Sequence, residues 1–111
     1  MEPQGSFHYE VEKLPDDQRG NKVTAVKCHG RLAMENAKQM KDVVKPLLAA
    51  GGRTIIDLGD VSFLDSSGLG ALISLKVSAI NQGLCILEFV NMTPRVLELL
   101  RITRLLQVLS P

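Results

Sequence analysis

Six consecutive residues near the middle of the chain, Asp65-Ser66-Ser67-Gly68-Leu69-Gly70, combine a carboxyl group, two hydroxyls and two glycines. Asp and Ser cap helices well, because a short side-chain oxygen accepts hydrogen bonds from the unpaired N–H groups of the first turn. Gly68 and Gly70 leave that turn without side-chain bulk, so another molecule could approach the backbone closely. Such a helix start suits an anion. The residue types leave two interpretations of Ser66 open, a plain helix cap or a phosphate acceptor.

A hydrolytic serine is a third interpretation, and the rest of the chain argues against it. A serine nucleophile needs a base within hydrogen-bond reach, and the two imidazoles, His8 and His29, lie in early strand-like segments. Neither Ser66 nor Ser67 sits in a G-x-S-x-G turn. The histidines also lack cysteine, histidine or carboxylate partners at metal-ligand spacing. We therefore expect a protein that is not an enzyme, with no catalytic residue, no metal site and no cofactor.

Composition bounds the remaining classes of function. The 111 residues suffice for one core, and 45% apolar and 23% charged residues are ordinary for a globular domain. A net charge of +1, with three Phe, one Tyr and no Trp, argues against nucleic-acid binding. No apolar run approaches the ~20 residues of a membrane span, and the N-terminus does not resemble a signal peptide. We expect one cytoplasmic domain over residues 1–111, without membrane insertion, in which Cys28 and Cys85 are free thiols.

Hydrophobic periodicity and turn signals predict alternating strands and helices around the serine pair. An antiparallel hairpin should follow a disordered stretch at residues 1–6. A short buried strand and an acidic connection that lies against the core should precede the serines. The tail should be an edge strand or a packed turn. The predicted elements are strands at Phe7–Val11, Lys22–Cys28, Thr54–Ile56 and Leu84–Val90, helices at Met34–Ala49, Ser66–Asn81 and from Thr93-Pro94, and the tail Leu105–Leu109.

This order of elements predicts the fold class. Right-handed crossovers should make the strands after the hairpin parallel, so we expect an α/β domain with a mixed sheet and helices packed against it. The helix from Ser66 is apolar on more than one stripe, so it is either deeply packed or offers an apolar surface to a partner. Ligand sites in such sheets favour the carboxyl ends of strands, and the serine pair should lie at one of those ends.

The strand before the serines carries a resemblance to a known family. Ile55-Ile56-Asp57-Leu58, followed by Val61 to Gly70, resembles the signature of bacterial anti-sigma factor antagonists of the STAS domain family. The similarity extends over roughly Phe7 to Leu109, and it includes Gly30 at the end of the second strand and the Thr93-Pro94 helix start. The resemblance implies a single STAS-like domain.

The resemblance also implies a phosphorylation switch at the serine directly after the aspartate, which is Ser66. Asp65, Ser67 and Gly68 would support this phosphosite, with Ser67 as the helper that caps the helix and Asp65 orienting or capping. The unmodified protein would bind an anti-sigma factor that is also a serine kinase, and so free a sigma factor for transcription. Phosphorylation would release the antagonist, and a cognate phosphatase would reset the system. The protein itself should be a monomer or a weak dimer.

The expected partner-binding surface joins the loop before the serines, the first turns of the following helix and the Arg31–Asn36 segment. Its residues are Met34, Ser62, Leu64, Asp65, Ser66 and Leu69. One position departs from the family pattern, because Ala33 stands where active antagonists usually carry an acidic residue, with Glu35 as the nearest substitute. The alternative function is a STAS interaction module of a transporter, such as a lipid-transport subunit, or of a signalling scaffold, without a phospho-switch.

Overall fold

The computed structural model of the protein describes residues 6–109. The expected disorder of residues 1–6 therefore falls, except for Ser6, outside the described residues. Four strands and four helices follow one another along this part of the chain. They are β1 His8–Leu14, β2 Val23–Leu32, α1 Met34–Ala49, β3 Gly52–Leu64, α2 Ser66–Gln82, β4 Cys85–Val90, α3 Pro94–Ile102 and α4 Leu106–Leu109.

The four strands form one sheet in the order β1-β2-β3-β4. β1 pairs antiparallel with β2, while β2–β3 and β3–β4 are parallel pairs, which confirms the predicted mixed sheet. The hairpin turn depends on Asp17, whose Oδ1 accepts hydrogen bonds from the backbone N–H groups of Arg19 and Asn21, both at 2.9 Å. This is the local turn chemistry that Asp side chains favour.

The third strand corrects one prediction. We expect a short strand followed by an acidic connection, yet β3 continues through that connection to Leu64, and its pairing with β2 extends from Arg53 to Leu64 with two irregularities. Two register shifts in the β2–β3 ladder accommodate extra residues of β3: the shift between Lys27 and His29 lies at Leu58-Gly59, and the shift between Gly30 and Arg31 lies at Ser62. β4 accompanies β3 only as far as Asp57. Cross-strand pairing therefore overrides the turn signal at Gly59-Asp60, as tertiary context often does in sheets.

The chain end corrects a second prediction, since one of the two forms expected for the tail is wrong. Leu106–Leu109 forms a short helix and not an edge strand, and Leu109 is fully buried, so the alternative of a packed segment is the correct one. The short loop before it turns through Arg104, which has a positive φ of 59°.

The core lies between the sheet and the helices α1 and α2, which pack against each other. The helix predicted at Met34–Ala49 is confirmed as α1, and Met40, Val44 and Leu48 form its buried side. The sequence of α2 allowed either deep packing or an exposed apolar surface, and the structure shows both. The helix buries a broad face, whereas Val77 and Ile80 are exposed. Among residues 6–109, no helix combines the length and apolar character that crossing a bilayer requires. Fully buried side chains from strands and helices meet in this core, among them Val26, Leu32, Ile56, Leu58, Leu72, Leu75 and Leu100.

Candidate functional site

Two helices begin side by side at one edge of the sheet. β2 and β3 are parallel neighbours whose last residues, Leu32 and Leu64, are paired in the ladder. α1 starts at Met34 and α2 at Ser66, each two residues beyond its strand. The strand ends thus hold two helix N-termini together at the carboxyl edge of the sheet, the position at which α/β sheets favour ligand sites.

One carboxylate caps both helices. Asp65 is the N-cap of α2, and its Oδ1 accepts a hydrogen bond from the N–H of Gly68 at 2.8 Å. Its Oδ2 accepts a second hydrogen bond, at 3.1 Å, from the N–H of Met34 in the first turn of α1. Two unpaired N–H groups on different helices are satisfied by one side chain. Asp65 therefore links the two helix starts.

This contact explains how α1 begins without a cap of its own. Its N-cap residue is Ala33, which has no side-chain oxygen. Asp65 reaches across to Met34 in its place, and the Oδ1 of Asn36 accepts a hydrogen bond from the N–H of Ala33 at 2.7 Å. The sequence interpretation missed Asn36, although its position three residues after the N-cap is that of the reciprocal partner in a capping box.

Ser66 is exposed at the first position of α2. Within residues 6–109 its hydroxyl has no hydrogen-bond partner, so it is free to meet another molecule. Ser67 is half-buried, and the cap of α2 is the carboxylate of Asp65 and not the Ser67 hydroxyl. The expectation that Ser67 caps the helix is therefore wrong, because the residue at the extended N-cap position, one step before the first helical turn, is the one whose side chain can fold back onto it.

The two glycines of the site differ in their surroundings. Gly68 is buried, and a Cβ at this position would lie 2.1 Å from the carbonyl oxygen of Leu32. Its missing side chain lets α2 pack against the end of β2, so the expectation that it leaves room for another molecule is wrong. Gly70 faces open space with no atom within 4 Å of such a Cβ. Only Gly70 leaves the helix surface accessible.

The residues expected at the partner surface divide into an exposed and a buried group. Met34 is 74% exposed, Ser62 and Ser66 are also exposed, and Asp65 is half-buried. Leu64 and Leu69 are only 8% and 6% exposed and belong to the core. Their assignment as partner-contacting side chains is therefore corrected, since each is an inward-facing residue at a strand or helix end. Leu64 and Leu69 pack in the core beneath this surface.

Two arginines that the sequence interpretation did not assign to the site flank it. The guanidinium of Arg31 lies 4.1 Å from the centroid of the Phe63 ring, a cation–π contact. The Nη1 of Arg95 donates a hydrogen bond to the carbonyl oxygen of Ser62 at 3.4 Å. Within residues 6–109, neither arginine lies within 4 Å of a carboxylate oxygen. Both side chains are exposed, so this edge of the sheet presents two cations whose charge is not neutralised by an ion pair.

The histidines lie away from this site, on strands β1 and β2. His29 Nδ1 is 2.6 Å from Asp60 Oδ2, its Nε2 is 3.0 Å from Glu10 Oε2, and its ring stacks on that of His8 with centroids 4.6 Å apart. The hydrogen bond to Asp60, and then that to Glu10, raises the pKa of His29 above its ordinary value of 6.5. Strand pairing places the carboxylates of Asp60 and Glu10 beside His29, although these residues are far from it along the chain. Within residues 6–109, no cluster of His, Cys, Asp or Glu is suited to a metal ion.

Both cysteines are free thiols, as predicted. Cys28 is buried against Met40, and burial together with the nearby charge of Asp57 raises the pKa of its thiol to about 12. Partial burial also raises the pKa of Cys85. Thiolates are the reactive form of cysteine, and both shifts favour the neutral thiol.

Comparison with solved structures places this arrangement in a known fold. An anti-sigma factor antagonist from Mycobacterium paratuberculosis superposes with a TM-score of 0.73 and 23% identity, covering 100% of this chain and 88% of that one. The anti-sigma factor antagonist SpoIIAA in its unphosphorylated form gives 0.68 and 17%, covering 88% and 82%. SpoIIAA of Bacillus in its phosphorylated form gives 0.65 and 16%, covering 88% and 85%. At these identities the likeness establishes a shared fold.

The same fold also occurs in a protein of a transporter family. A sulfate transporter family protein from Wolinella succinogenes superposes with a TM-score of 0.68 and 20% identity, covering 79% of this chain and 71% of that one. No curated protein sequence matches the chain at a significant level. The family model described as Mlab, STAS domain, matches residues 16–110. That match spans most of the chain, including both helix starts and the Asp65-Ser66 step between them. The chain belongs to the STAS domain family.

Proposed function

We propose that this protein is an anti-sigma factor antagonist whose binding to an anti-sigma factor kinase is controlled by phosphorylation of Ser66. The unphosphorylated protein binds the kinase, and a sigma factor is thereby freed for transcription. Phosphorylation releases the antagonist, and a cognate phosphatase restores the binding form. The single observation that carries this proposal is the exposed Ser66 hydroxyl at the first position of α2, directly after a helix-capping aspartate.

The helix start can accept a phosphate without unfolding. A phosphate on Ser66 adds about −1.5 to −2 charge and three strong acceptor oxygens. The positive end of the α2 dipole stabilises an anion at this position by roughly 0.3–1 kcal/mol. No acidic residue lies within the first turn of α2, and the carboxylate of the preceding Asp65 is engaged by the N–H groups of Gly68 and Met34. The hydroxyl is also outside the core, so modification displaces no packed side chain.

The exposed residues around Ser66 form the surface through which the switch acts. Met34, Ser62 and Ser66 are exposed together at the edge where Asp65 ties the two helix starts to each other. Because Asp65 is hydrogen-bonded to both helix starts, a new anion on the adjacent Ser66 would face the bound partner directly. A loss of only ~1.4 kcal/mol in binding free energy weakens the complex tenfold. A useful switch therefore needs electrostatic repulsion at one residue and no change of fold.

The experiment combines the partner kinase and ATP with three variants, followed by intact mass, peptide mapping and a binding titration. Ser66→Ala should bind the kinase but resist release by ATP. Ser66→Asp should bind at least about tenfold more weakly, although one carboxylate charge mimics only part of a phosphate. Ser67→Ala is the matched control and should still accept phosphate at Ser66. Phosphate on Ser67, or full binding by Ser66→Asp, would overturn the proposal.

A variant outside the phosphosite tests the surface separately. Met34→Lys places a charge on the most exposed apolar residue beside Ser66 and should weaken kinase binding without changing the circular dichroism spectrum. If Met34→Lys binds the kinase as tightly as the wild type, the interface lies elsewhere, whatever the result of the Ser66 experiments.

A second candidate function is an interaction module of a transporter that uses the same surface without phosphorylation. The fold shared with a sulfate transporter family protein supports it, as does Ala33 in place of the acidic residue usual in active antagonists. The gene neighbourhood distinguishes the two functions. A neighbouring gene for a serine kinase with an ATPase domain of the histidine-kinase type supports the antagonist, and neighbouring genes for a membrane transporter support the module.

A further inference from the structure

Two exposed arginines are held beside the Ser66 surface by adjacent residues of β3. The guanidinium of Arg31, on β2, lies over the ring of Phe63 at 4.1 Å from its centroid. The Nη1 of Arg95, in the first turn of α3, donates a hydrogen bond to the carbonyl oxygen of Ser62 at 3.4 Å. Two segments that are far apart along the chain thus place their guanidinium groups at the Ser62-Phe63 step.

The hydrogen-bonding capacity of these two side chains is almost unused. A guanidinium has five N–H donors and no acceptor. Within residues 6–109, Arg31 donates no hydrogen bond, Arg95 donates only the one to Ser62, and neither forms an ion pair. The contact with Phe63 holds the Arg31 head group without giving its N–H groups an oxygen partner. Both arginines therefore keep donors for the oxygens of another molecule.

The carboxylates of this edge do not cancel the charge of the two arginines. Asp65 accepts hydrogen bonds from the N–H groups at the starts of α1 and α2, so the positive ends of two helix dipoles, about +0.5 each, oppose its charge. Asp60 is paired with His29. Glu35, in the first turn of α1, is exposed and offsets one positive charge at most. The Ser66 surface thus keeps a positive charge.

The direction of the proposed switch constrains the charge of the partner. This step rests on the function proposed above, in which a phosphate on Ser66 releases the partner. A basic partner surface would bind the phosphate through charge-assisted hydrogen bonds and hold the complex more tightly. An acidic surface would be repelled by the phosphate and attracted by the two arginines of the unmodified protein. Release by phosphate and the positive charge of this edge therefore select the same kind of partner surface.

We propose that the partner presents a carboxylate-rich protein segment to Arg31 and Arg95, and that a phosphate on Ser66 opposes its binding. Arginine is well suited to this contact because its planar group binds a carboxylate with two parallel hydrogen bonds. Ser66 follows Phe63 by three residues, which is at most about 11 Å between Cα atoms. Charges at about this distance still interact at physiological ionic strength, where the Debye length is about 8 Å. The phosphate would both weaken the attraction by the arginines and repel the partner carboxylates.

A protein segment fits this edge better than a lipid surface or a nucleic acid does. Anionic membranes are bound by clusters of about four to eight lysines and arginines. Single-stranded nucleic acids require a positively charged groove lined with stacking aromatic residues. This edge offers two arginines, and the whole chain carries a net charge of only +1. Two guanidinium groups suffice for a short acidic segment that also contacts the exposed Met34.

A binding titration with the partner kinase tests the proposal. Arg31→Gln and Arg95→Gln should each weaken binding about fivefold or more, and Arg31→Lys, which keeps the charge, should lose less. These losses should shrink between about 50 mM and about 1 M salt, because salt screens exposed charges. Arg19→Gln is the matched control. It removes an exposed arginine from the hairpin turn, at the opposite end of β2, and should bind like the wild type.

A second titration separates this proposal from the function on which it rests. Isotope-labelled protein is titrated, without kinase, with a peptide of alternating Glu and Gly and with its Lys-Gly counterpart. Only the Glu peptide should shift the nuclear magnetic resonance signals of the Arg31 and Arg95 Nε–H groups, and Ser66→Asp should weaken its binding. If the kinase fails to bind but these shifts occur, the proposed function fails and the acidic-segment site stands.

The opposite result would overturn the site and leave the function intact. In that case the kinase binds and is released by phosphorylation of Ser66, yet Arg31→Gln and Arg95→Gln bind it as tightly as the wild type. A loss of affinity in Arg19→Gln as large as in Arg31→Gln would also overturn the proposal, since it would reflect net charge alone. So would binding to vesicles rich in phosphatidylserine that Arg31→Gln abolishes, because the arginines would then serve a lipid headgroup.

Discussion

The starts of α1 and α2 lie at the same edge of the sheet but are built in different ways. α2 begins with its own N-cap, Asp65, and with a glycine, Gly68, that fits against the end of β2. α1 begins at Ala33, which cannot cap, and it borrows the second oxygen of Asp65 from the other segment. One helix start is thus encoded locally, and the other depends on a contact between residues far apart in the chain.

This difference bears on the switch that we propose at the Asp65-Ser66 step. The aspartate is held by two helices through hydrogen bonds of 2.8 and 3.1 Å, whereas the hydroxyl beside it has no partner within residues 6–109. Asp65 is therefore held by hydrogen bonds to both helices, and it precedes Ser66, whose hydroxyl has no such bond within residues 6–109. Modification of Ser66 can change the surface without disturbing the capping that holds both helices.

The largest expected effect comes from filling the space beside Gly68. Gly68→Ala would bring a Cβ to 2.1 Å from a backbone carbonyl oxygen that cannot rotate away. We expect a loss of about 3 kcal/mol in the free energy of unfolding, at the upper end for overpacking. Chemical denaturation measures it. Gly70→Ala is the matched control and should stabilise by about 0.5–1 kcal/mol, since its site is open and alanine favours helix. Equal effects at both positions would contradict the close contact with β2.

Removing the shared cap should have the next largest effect. Asp65→Ala deletes two capping hydrogen bonds and should cost about 2 kcal/mol, about 1 for each helix start. Asp65→Asn keeps only one side-chain oxygen, so it can serve one helix and should cost about half as much. Denaturation gives the totals, and hydrogen exchange at the N–H groups of Met34 and Gly68 shows which helix is affected. Loss of protection at Gly68 alone in Asp65→Ala would mean that α1 does not depend on this carboxylate.

The smallest effect concerns pH and separates the helix starts from the strand region around His29. Because the folded pKa of His29 is raised above 6.5, protonated His29 stabilises the fold fully below pH 6.5. This stability should be lost as the pH rises from 6.5 through the folded pKa. The groups that face this ring are Glu10, Asp60 and His8. The free energy of unfolding should decrease over this window in the wild type and in Asp65→Ala, but not in His29→Gln. The same decrease in His29→Gln would assign the pH dependence to another group.

The part of the fold that sequence reasoning anticipated rests on local signals. The helix starts at Ser66 and at Thr93-Pro94 were found because capping is decided within four residues, and in the structure Thr93 Oγ1 accepts a hydrogen bond from the N–H of Val96 at 3.2 Å. The helix α1 is predictable because its apolar residues recur with helical periodicity and face the core.

The errors arose where partners come from distant parts of the chain. β3 continues past Gly59-Asp60 because β2 supplies the ladder hydrogen bonds. No residue within that step predicts this pairing. Leu64 and Leu69 were expected at a surface, but the direction of each side chain was fixed only when strand and helix packed against the core.

The amino-acid sequence by itself determined the order of strands and helices, the hydroxyl at a helix start and the family to which the chain belongs, since all three depend on residue types at short spacing. Only the tertiary structure decided that Asp65 caps two helices, that Gly68 is required by the carbonyl of Leu32, and that β4 is an edge strand. The reason is geometric. A hydrogen bond or a steric contact between residues about 30 positions apart exists only after the parallel strands β2 and β3 have brought their ends together.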